Sequence, residues 1–117
     1  MPQALTIYHN PRCSKSRQTL KLLEEHGHQP AIINYLNEGL TPGQITELAK
    51  GLGCTLHGLL RRKEKAYAEH GLSPEASDDE VMAALVASPI LLERPVVVGA
   101  LGARVGRPPE SVLEILS

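Results

Sequence analysis

The N-terminal part of the chain constrains the fold more than any other part. "ALTIY", at 4–8, is a short apolar run that Pro11 terminates soon afterwards, which is typical of a buried strand. "SKSRQTLKLLEEHG" follows and predicts a helix, with Ser14 as its N-cap and Gly27 at its end. "AIINYL", at 31–36, predicts a second strand. A strand, a helix and a strand over so short a stretch predict a right-handed βαβ unit with parallel strands.

The remainder of the chain predicts mainly helices and then a pair of strands. Thr41 and Gln44 are spaced as a capping box at the start of one helix, and Ser77 and Glu80 are spaced in the same way at the start of another. The stretch between these two helices is helical but broken. "RPVVVG" and "ARVG" then predict two strands about a turn at 99–102, and "PESVLEILS" predicts a final helix.

The predicted order, βαβ, a helical insert and ββα, resembles the thioredoxin-like arrangement, an α/β fold in which helices cover a four-stranded mixed sheet. We expect residues 1–117 to form a single domain of this kind. Ligands of such sheets bind beyond the carboxyl ends of the parallel strands. The loop at 9–13 follows the first strand and precedes the first helix, so we expect the functional site there.

Composition excludes several classes of function. The chain has a net charge of −1, which gives no bulk attraction to nucleic acid or to a membrane surface. No apolar run approaches the roughly 18 residues of a membrane span, and the N-terminus lacks the pattern of a secretory signal. Two cysteines in such a chain fit a reducing cytoplasm. We therefore expect a cytoplasmic protein with neither nucleic acid nor membrane as a partner.

Cys13 is the leading candidate for chemistry. It lies at the start of the predicted first helix, close in sequence to His9, Arg12, Lys15 and Arg17. A helix N-terminus and neighbouring cations both stabilise a thiolate, and the free N–H groups of a first helical turn can bind an anion. We expect a pKa for Cys13 well below the value of about 8.5 for a free cysteine. The alternative is an unreactive cysteine in a turn with solvated neighbours.

A dithiol redox centre would need a second cysteine beside Cys13. Thioredoxin-type motifs carry Cys-x-x-Cys, but the second position here is Ser16. Cys54 follows the helix that begins near Thr41, and we expect it to be a small apolar residue at the edge of the core. Cys13 is therefore expected to need a thiol from outside the chain.

A zinc site is the other use that the sequence offers for these cysteines. His9 and Cys13 form one pair at metal-ligand spacing, and Cys54 and His57 form a second. The cations beside Cys13 would bring positive charge up to the metal, which disfavours this alternative. We expect no metal site.

Three arginines further along the chain are candidates for binding an oxyanion. Arg61 lies in the broken helical stretch, whereas Arg94 and Arg107 each precede a proline, which restricts the backbone. The planar guanidinium donates two parallel hydrogen bonds to an oxyanion. A nucleophilic cysteine with converging arginines suggests attack on a small oxyanion. The sequence does not show that the arginines converge, and a surface role for them is the alternative.

These motifs together resemble those of the glutaredoxin-dependent arsenate reductase family, which has a thioredoxin-like fold. The resemblance covers essentially the whole chain and rests on "IYHNPRCSKSRQTLKLLEEHG", "LLRRKEKAY", "ERPVVV" and "GRPPESVLEIL". It implies that Cys13 is the nucleophile and that His9 helps to hold it as a thiolate. It also implies that Arg61, Arg94 and Arg107 bind the oxyanion and stabilise the arsenylated cysteine.

The resemblance implies a reaction and its partners as well. Cys13 would attack arsenate, glutathione would form a mixed cysteine–arsenic–glutathione species, and glutaredoxin would supply the second reduction step before arsenite leaves. Glutathione is then a co-substrate, and no bound cofactor is implied. The chain reads Cys-Ser-Lys-Ser where the best-known members read Cys-Gly-Thr-Ser, so it resembles a sister branch in which Lys15 adds a charge beside the nucleophile.

A second function within the same superfamily is a redox-responsive regulator that binds RNA polymerase. Such regulators typically carry Cys-x-x-Cys and lack the full set of matching arginines, whereas this chain has Ser16 and all three arginines. Both features favour the enzyme. Thioredoxin-like folds also place a cis proline opposite the active cysteine, and from that resemblance we expect a cis bond between Arg94 and Pro95.

Overall fold

The sheet is built from the N-terminal strand–helix–strand unit and a C-terminal hairpin. A computed structural model describes residues 5–93, 95–99 and 101–115. The four strands of the sheet are β1 (Thr6–Tyr8), β2 (Ala31–Ile33), β3 (Val96–Gly99) and β4 (Gly102–Val105). Their spatial order is β2-β1-β3-β4, with β1 parallel to β2 and antiparallel to β3, and with β3 antiparallel to β4. The predicted four-stranded mixed sheet is confirmed.

Helices connect and follow these strands. The α-helices are α1 (Ser14–Glu25), α2 (Tyr35–Glu38), α3 (Pro42–Leu52), α4 (Lys65–Glu69) and α5 (Asp78–Ala87). The 3-10 helices are His57–Leu59, Pro89–Leu91 and Pro109–Ile115. The stretch between α3 and α5 is thus helical but broken, as the sequence predicts.

The described chain divides into two units by its internal packing. The sheet unit comprises the described residues up to Glu38 and those from Pro95 onwards, and the helical unit is Gly39–Glu93. The core of the sheet unit is apolar and consists of Leu5, Ile7, Leu23, Val97, Val112 and Ile115. In the helical unit, α3 contacts α5. The expectation of a single domain over residues 1–117 stays a prediction.

Strand β2 is shorter than the sequence predicts, because Asn34 turns the chain into α2. The Asn34 carbonyl accepts hydrogen bonds from the N–H groups of Asn37 at 3.0 Å and Glu38 at 2.9 Å. The Glu38 carboxylate in turn accepts the Asn34 N–H at 2.9 Å. Local bonding of this kind competes with the sheet ladder, so the strand ends at Ile33 rather than at residue 36.

The ends of the helices follow the sequence in part. Both predicted capping boxes are present. The N-cap of α1 is Cys13 and not Ser14, because Cys13 keeps an extended backbone while its carbonyl accepts the Arg17 N–H at 3.1 Å. The predicted final helix is present over Pro109–Ile115, where it is a 3-10 helix.

Gly106 marks a very close approach between the end of β4 and α1. A Cβ atom at this position would collide with the hydroxyl of Thr19 and would lie 2.8 Å from Cγ of Pro95. The Gly106 N–H also donates to the Pro95 carbonyl at 2.8 Å. Only glycine fits here, and the next residue along the chain is Arg107.

We expect Gly106→Ala to lower the free energy of unfolding by about 1–3 kcal/mol, because the added methyl group overpacks a buried contact. Urea unfolding followed by circular dichroism measures this change. Gly43→Ala is the matched control, since a Cβ at that exposed helical position meets only the Thr41 hydroxyl, at 3.9 Å. Equal unfolding midpoints for Gly106→Ala and the wild type would contradict the close approach.

Candidate active site

Cys13 lies in a turn that joins the end of β1 to α1. Its N–H donates to the Asn10 carbonyl at 3.0 Å, and the Asn10 side chain accepts the Arg12 N–H at 3.0 Å. Among the described residues, no side chain caps the N-terminus of α1, and its first turn carries no acidic residue. The N–H groups of that turn therefore stay available to an anion beside the half-buried thiol.

Arg107 is brought to Cys13 by the direction of β4. Because β4 is antiparallel to β3 and β3 is antiparallel to β1, the ends of β4 and β1 lie at the same edge of the sheet. The Nη2 atom of Arg107 lies 3.9 Å from Sγ of Cys13. The peptide bond from Arg107 to Pro108 is cis. A guanidinium at this distance stabilises a thiolate, so one of the predicted arginines does lie beside the predicted nucleophile.

His9 is buried at the end of β1 and contacts the first turn of α1 through Ser16. Its side chain is 7% exposed, and Nδ1 lies 2.6 Å from the Ser16 hydroxyl oxygen. That oxygen also accepts the Asn10 N–H at 3.0 Å, so the Ser16 hydroxyl joins His9 to the backbone of the following residue.

The electrostatic surroundings favour the neutral form of His9. Burial, and to a lesser extent the charge of Arg17, lower the pKa of His9 from its usual 6.5. The sequence groups His9 with the cations near Cys13, but the lowered pKa leaves His9 largely uncharged at neutral pH. Any effect of His9 on the thiol at that pH is therefore one of hydrogen bonding and packing.

Ser16 is a residue whose contribution the sequence did not reveal. It is fully buried, with 0% exposure, and its hydroxyl holds both His9 and Asn10. Sequence reasoning treated it only as the residue that replaces a second cysteine. The available signal was its position in the first turn of the helix, three residues after Cys13, where a small polar side chain can face back towards the preceding strand.

Of the other two predicted arginines, only Arg61 lies in the described part of the chain. Arg61, in the helical unit, forms an ion pair with Glu64 in which Nη1 and Oε2 are 2.8 Å apart. Its backbone N–H donates to the Leu91 carbonyl at 2.7 Å, which fixes its position in the broken helical stretch. Arg94, and with it the expected cis bond to Pro95, lies outside the described residues, and both stay predictions.

Cys54 is exposed, so the prediction that it lies at the edge of the core is wrong. It follows Gly53, whose positive φ of 69° ends α3, and its N–H donates back to the Ala49 carbonyl at 3.0 Å. This helix-terminating turn directs the chain outwards. Although the residue as a whole is exposed, partial burial beside Gly58 raises the pKa of the Cys54 thiol. The raised pKa lowers the fraction of Cys54 that is present as thiolate at neutral pH.

The described ranges of the chain contain no group of three or more histidine, cysteine, aspartate or glutamate side chains that could hold a metal ion. Over the same ranges, no helix has the length and apolar character needed to cross a membrane.

The fold and the site together define a class of protein. A four-stranded mixed sheet with a cysteine at the N-terminus of its first helix is the arrangement of thioredoxin-like proteins that use a thiol. The model of the ArsC family matches residues 8–115, which is most of the chain. The chain belongs to the ArsC family.

Individual relatives agree with this assignment. The chain is 45% identical to the uncharacterized protein YfgD of Escherichia coli strain K12 over 118 positions, which cover 99% of each chain. It is 42% identical to an arsenate reductase of the same strain, over 96% of this chain and 80% of that protein. The solved structure of an arsenate reductase from Vibrio cholerae superposes with a TM-score of 0.94 at 45% identity, covering 99% of this chain and 100% of that chain.

The lowered pKa of His9 predicts a pH dependence of stability. Below pH 6.5 the unfolded chain binds a proton at this histidine more readily than the folded chain, so the free energy of unfolding should fall as the pH drops from 6.5 towards the folded-state pKa. Replacing His9 by Asn should remove this part of the dependence. Urea midpoints between about pH 5 and 8 measure it for the wild type and for His9→Asn.

His26→Asn is the matched control, because His26 is exposed at the C-terminal end of α1. It should keep the pH dependence of the wild type. Parallel pH profiles for the wild type and His9→Asn would refute the neutral, buried imidazole.

Proposed function

We propose that this protein is an arsenate reductase that uses glutathione and glutaredoxin as its thiol partners. The observation that carries the proposal is the 3.9 Å approach of the Arg107 guanidinium to Sγ of Cys13 at an uncapped helix N-terminus. A nucleophilic sulfur, a planar cation and free N–H groups suit a small tetrahedral oxyanion. Arsenate as the substrate is supported by the relatives in Escherichia coli and Vibrio cholerae that are named arsenate reductases.

In the first step of the proposed reaction, the Cys13 thiolate attacks the arsenic of arsenate. A sulfur–arsenic bond forms, and one arsenate oxygen leaves as water after taking up two protons. Arg107 and the first-turn N–H groups of α1 stabilise the negative charge of the adduct. Neutral His9 helps to hold Cys13 as a thiolate, and Arg61 and Arg94 complete the set of arginines for the oxyanion.

The second stage transfers two electrons to arsenic. The glutathione thiol displaces an arsenic-bound hydroxyl, which leaves as water with the thiol proton. A glutaredoxin thiolate then attacks the glutathione sulfur, and the electron pair of the sulfur–arsenic bond reduces arsenic from the +5 to the +3 state. The two external sulfurs leave as a mixed disulfide, and water releases arsenite from Cys13.

The use of external thiols is supported by two positions in the chain, neither of which supplies a reactive second thiol. Ser16 stands where a dithiol motif would carry its second cysteine, and the Cys54 thiol has a raised pKa. No bound cofactor is needed in this scheme, since glutathione is consumed as a co-substrate. The scheme requires reduced thiols, which are maintained in the cytoplasm, and we propose that location.

The proposal predicts that only one of the two cysteines is essential. With arsenate, glutathione and glutaredoxin, Cys13→Ser should reduce arsenite formation by about 10³-fold or more, because a hydroxyl is a far weaker nucleophile than a thiolate. Cys54→Ser, the matched control, should retain near-normal turnover. Arsenite is measured by chromatography coupled to atomic mass detection. Full activity in Cys13→Ser, or its loss in a folded Cys54→Ser protein, would refute the proposal.

The contact between Arg107 and Cys13 predicts how alkylation of Cys13 depends on pH. In a Cys54→Ser background, the midpoint for alkylation by iodoacetamide should lie below about 8.5, and Arg107→Ala should raise it by about one pH unit. Arg104→Ala is the matched control, since Arg104 lies on the same hairpin but pairs with Glu114. An unchanged midpoint in Arg107→Ala would show that this cation does not stabilise the thiolate.

A further inference from the structure

A polar groove lies beside the turn that carries Cys13. We call it the asparagine groove, and its lining consists of Asn10, Pro11, Arg12, Asn34, Leu36 and Asn37. Its volume is about 360 Å³, which is within the range of small-molecule sites and far larger than a tetrahedral oxyanion needs. The groove lies beyond the carboxyl ends of β1 and β2, the location where open α/β sheets bind ligands.

The backbone of both walls is fixed by hydrogen bonds. On one wall, Asn10 accepts the N–H groups of Arg12 and Cys13, through its side chain and its carbonyl respectively. On the other wall, the Asn34 carbonyl accepts the N–H of Asn37. The backbone of the groove is therefore a preformed feature of two tight turns.

The side chains that line the groove keep unused hydrogen-bonding capacity. Within the described residues, the side chains of Arg12 and Asn37 form no hydrogen bond, and the buried Oδ1 of Asn34 has no donor. Leu36 adds a partly exposed apolar surface to the same groove.

This set of groups matches a short peptide with a free carboxylate. Among the described residues that line the groove, only Arg12 has an ionisable side chain, and it would bind a carboxylate. The amides of Asn34 and Asn37 suit peptide N–H and C=O groups. Leu36 suits methylene groups. A bare oxyanion would use the cation and leave the amides and the apolar surface without a function.

We propose that the asparagine groove binds the peptide part of the thiol co-substrate, a short carboxylate-bearing peptide such as glutathione. This inference rests on the proposed function for its chemistry, because the bound thiol would attack the arsenic held on Cys13. The step forms a sulfur–arsenic bond, and the thiol proton leaves with an arsenic-bound hydroxyl as water. Arg12 directly precedes Cys13, so a ligand on Arg12 lies close to the reacting atoms.

The test uses S-methylglutathione, which keeps the peptide and both carboxylates but cannot react. Titration of the wild type, followed by NMR, should shift the side-chain amide signals of Asn34 and Asn37. Asn37→Asp should weaken binding by about tenfold, because the new carboxylate repels the carboxylates of the ligand. Gln29→Glu is the matched control, since it makes the same change of charge at an exposed position just before the N-terminal end of β2. It should leave the affinity within twofold.

The outcomes separate this inference from the proposed function. Binding that shifts the groove signals and is weakened by Asn37→Asp supports the proposed peptide site. If such binding occurs but the protein forms no arsenite, only the proposed reductase function is refuted. Arsenite formation with glutathione overturns the groove if Asn37→Asp changes neither the affinity for S-methylglutathione nor the KM for glutathione. Absence of binding, or signal shifts confined to β3 and β4, also overturns it.

Discussion

The buried hydroxyl of Ser16 is the contact on which the site depends. It accepts the Asn10 N–H and bonds to Nδ1 of His9, so a single oxygen atom links the end of β1 to the first turn of α1. The turn that carries Cys13 lies between these anchored points. The same position would hold the second cysteine of a dithiol motif, and here it holds the turn in place. The serine at position 16 therefore explains both why no second thiol lies beside Cys13 and why the turn is held in place.

Features that depend on neighbouring residues could be predicted from the sequence. The βαβ unit and both capping boxes were correct, because alternation of apolar segments and cap spacing are local patterns. The end of β2 was misplaced because the Asn34 carbonyl and the Glu38 carboxylate compete with the sheet for backbone groups. Cys54 was wrongly expected at the core edge, because the turn after Gly53 carries it outwards.

The residues of the site could be predicted from the sequence, but their arrangement in space could not. Cys13 could be singled out from its place before a helix and among cations. The approach of Arg107 joins residues 94 positions apart, and it exists because β4 returns parallel to β1 and because Gly106 permits close packing on Thr19. Neither condition has a local signature. Arg61, in contrast, has a local partner. Its guanidinium pairs with the carboxylate of Glu64, three residues further along the chain, so an oxyanion would compete with Glu64 for Arg61.

The order of the strands gives the nucleophile two different sides. Cys13 follows β1, which lies between β2 and β3. Arg107 follows β4, on the β3 side of β1, whereas the asparagine groove extends from the turn after β1 towards the end of β2. In the proposed reaction, an adduct on Cys13 would keep its charged oxygens towards Arg107 while another arsenic-bound oxygen faces the groove. A thiol that enters from the groove side would then meet arsenic without displacing the cation that stabilises the adduct. Under this proposal, separate sides for the anion and the thiol would let one cysteine serve in place of a dithiol pair.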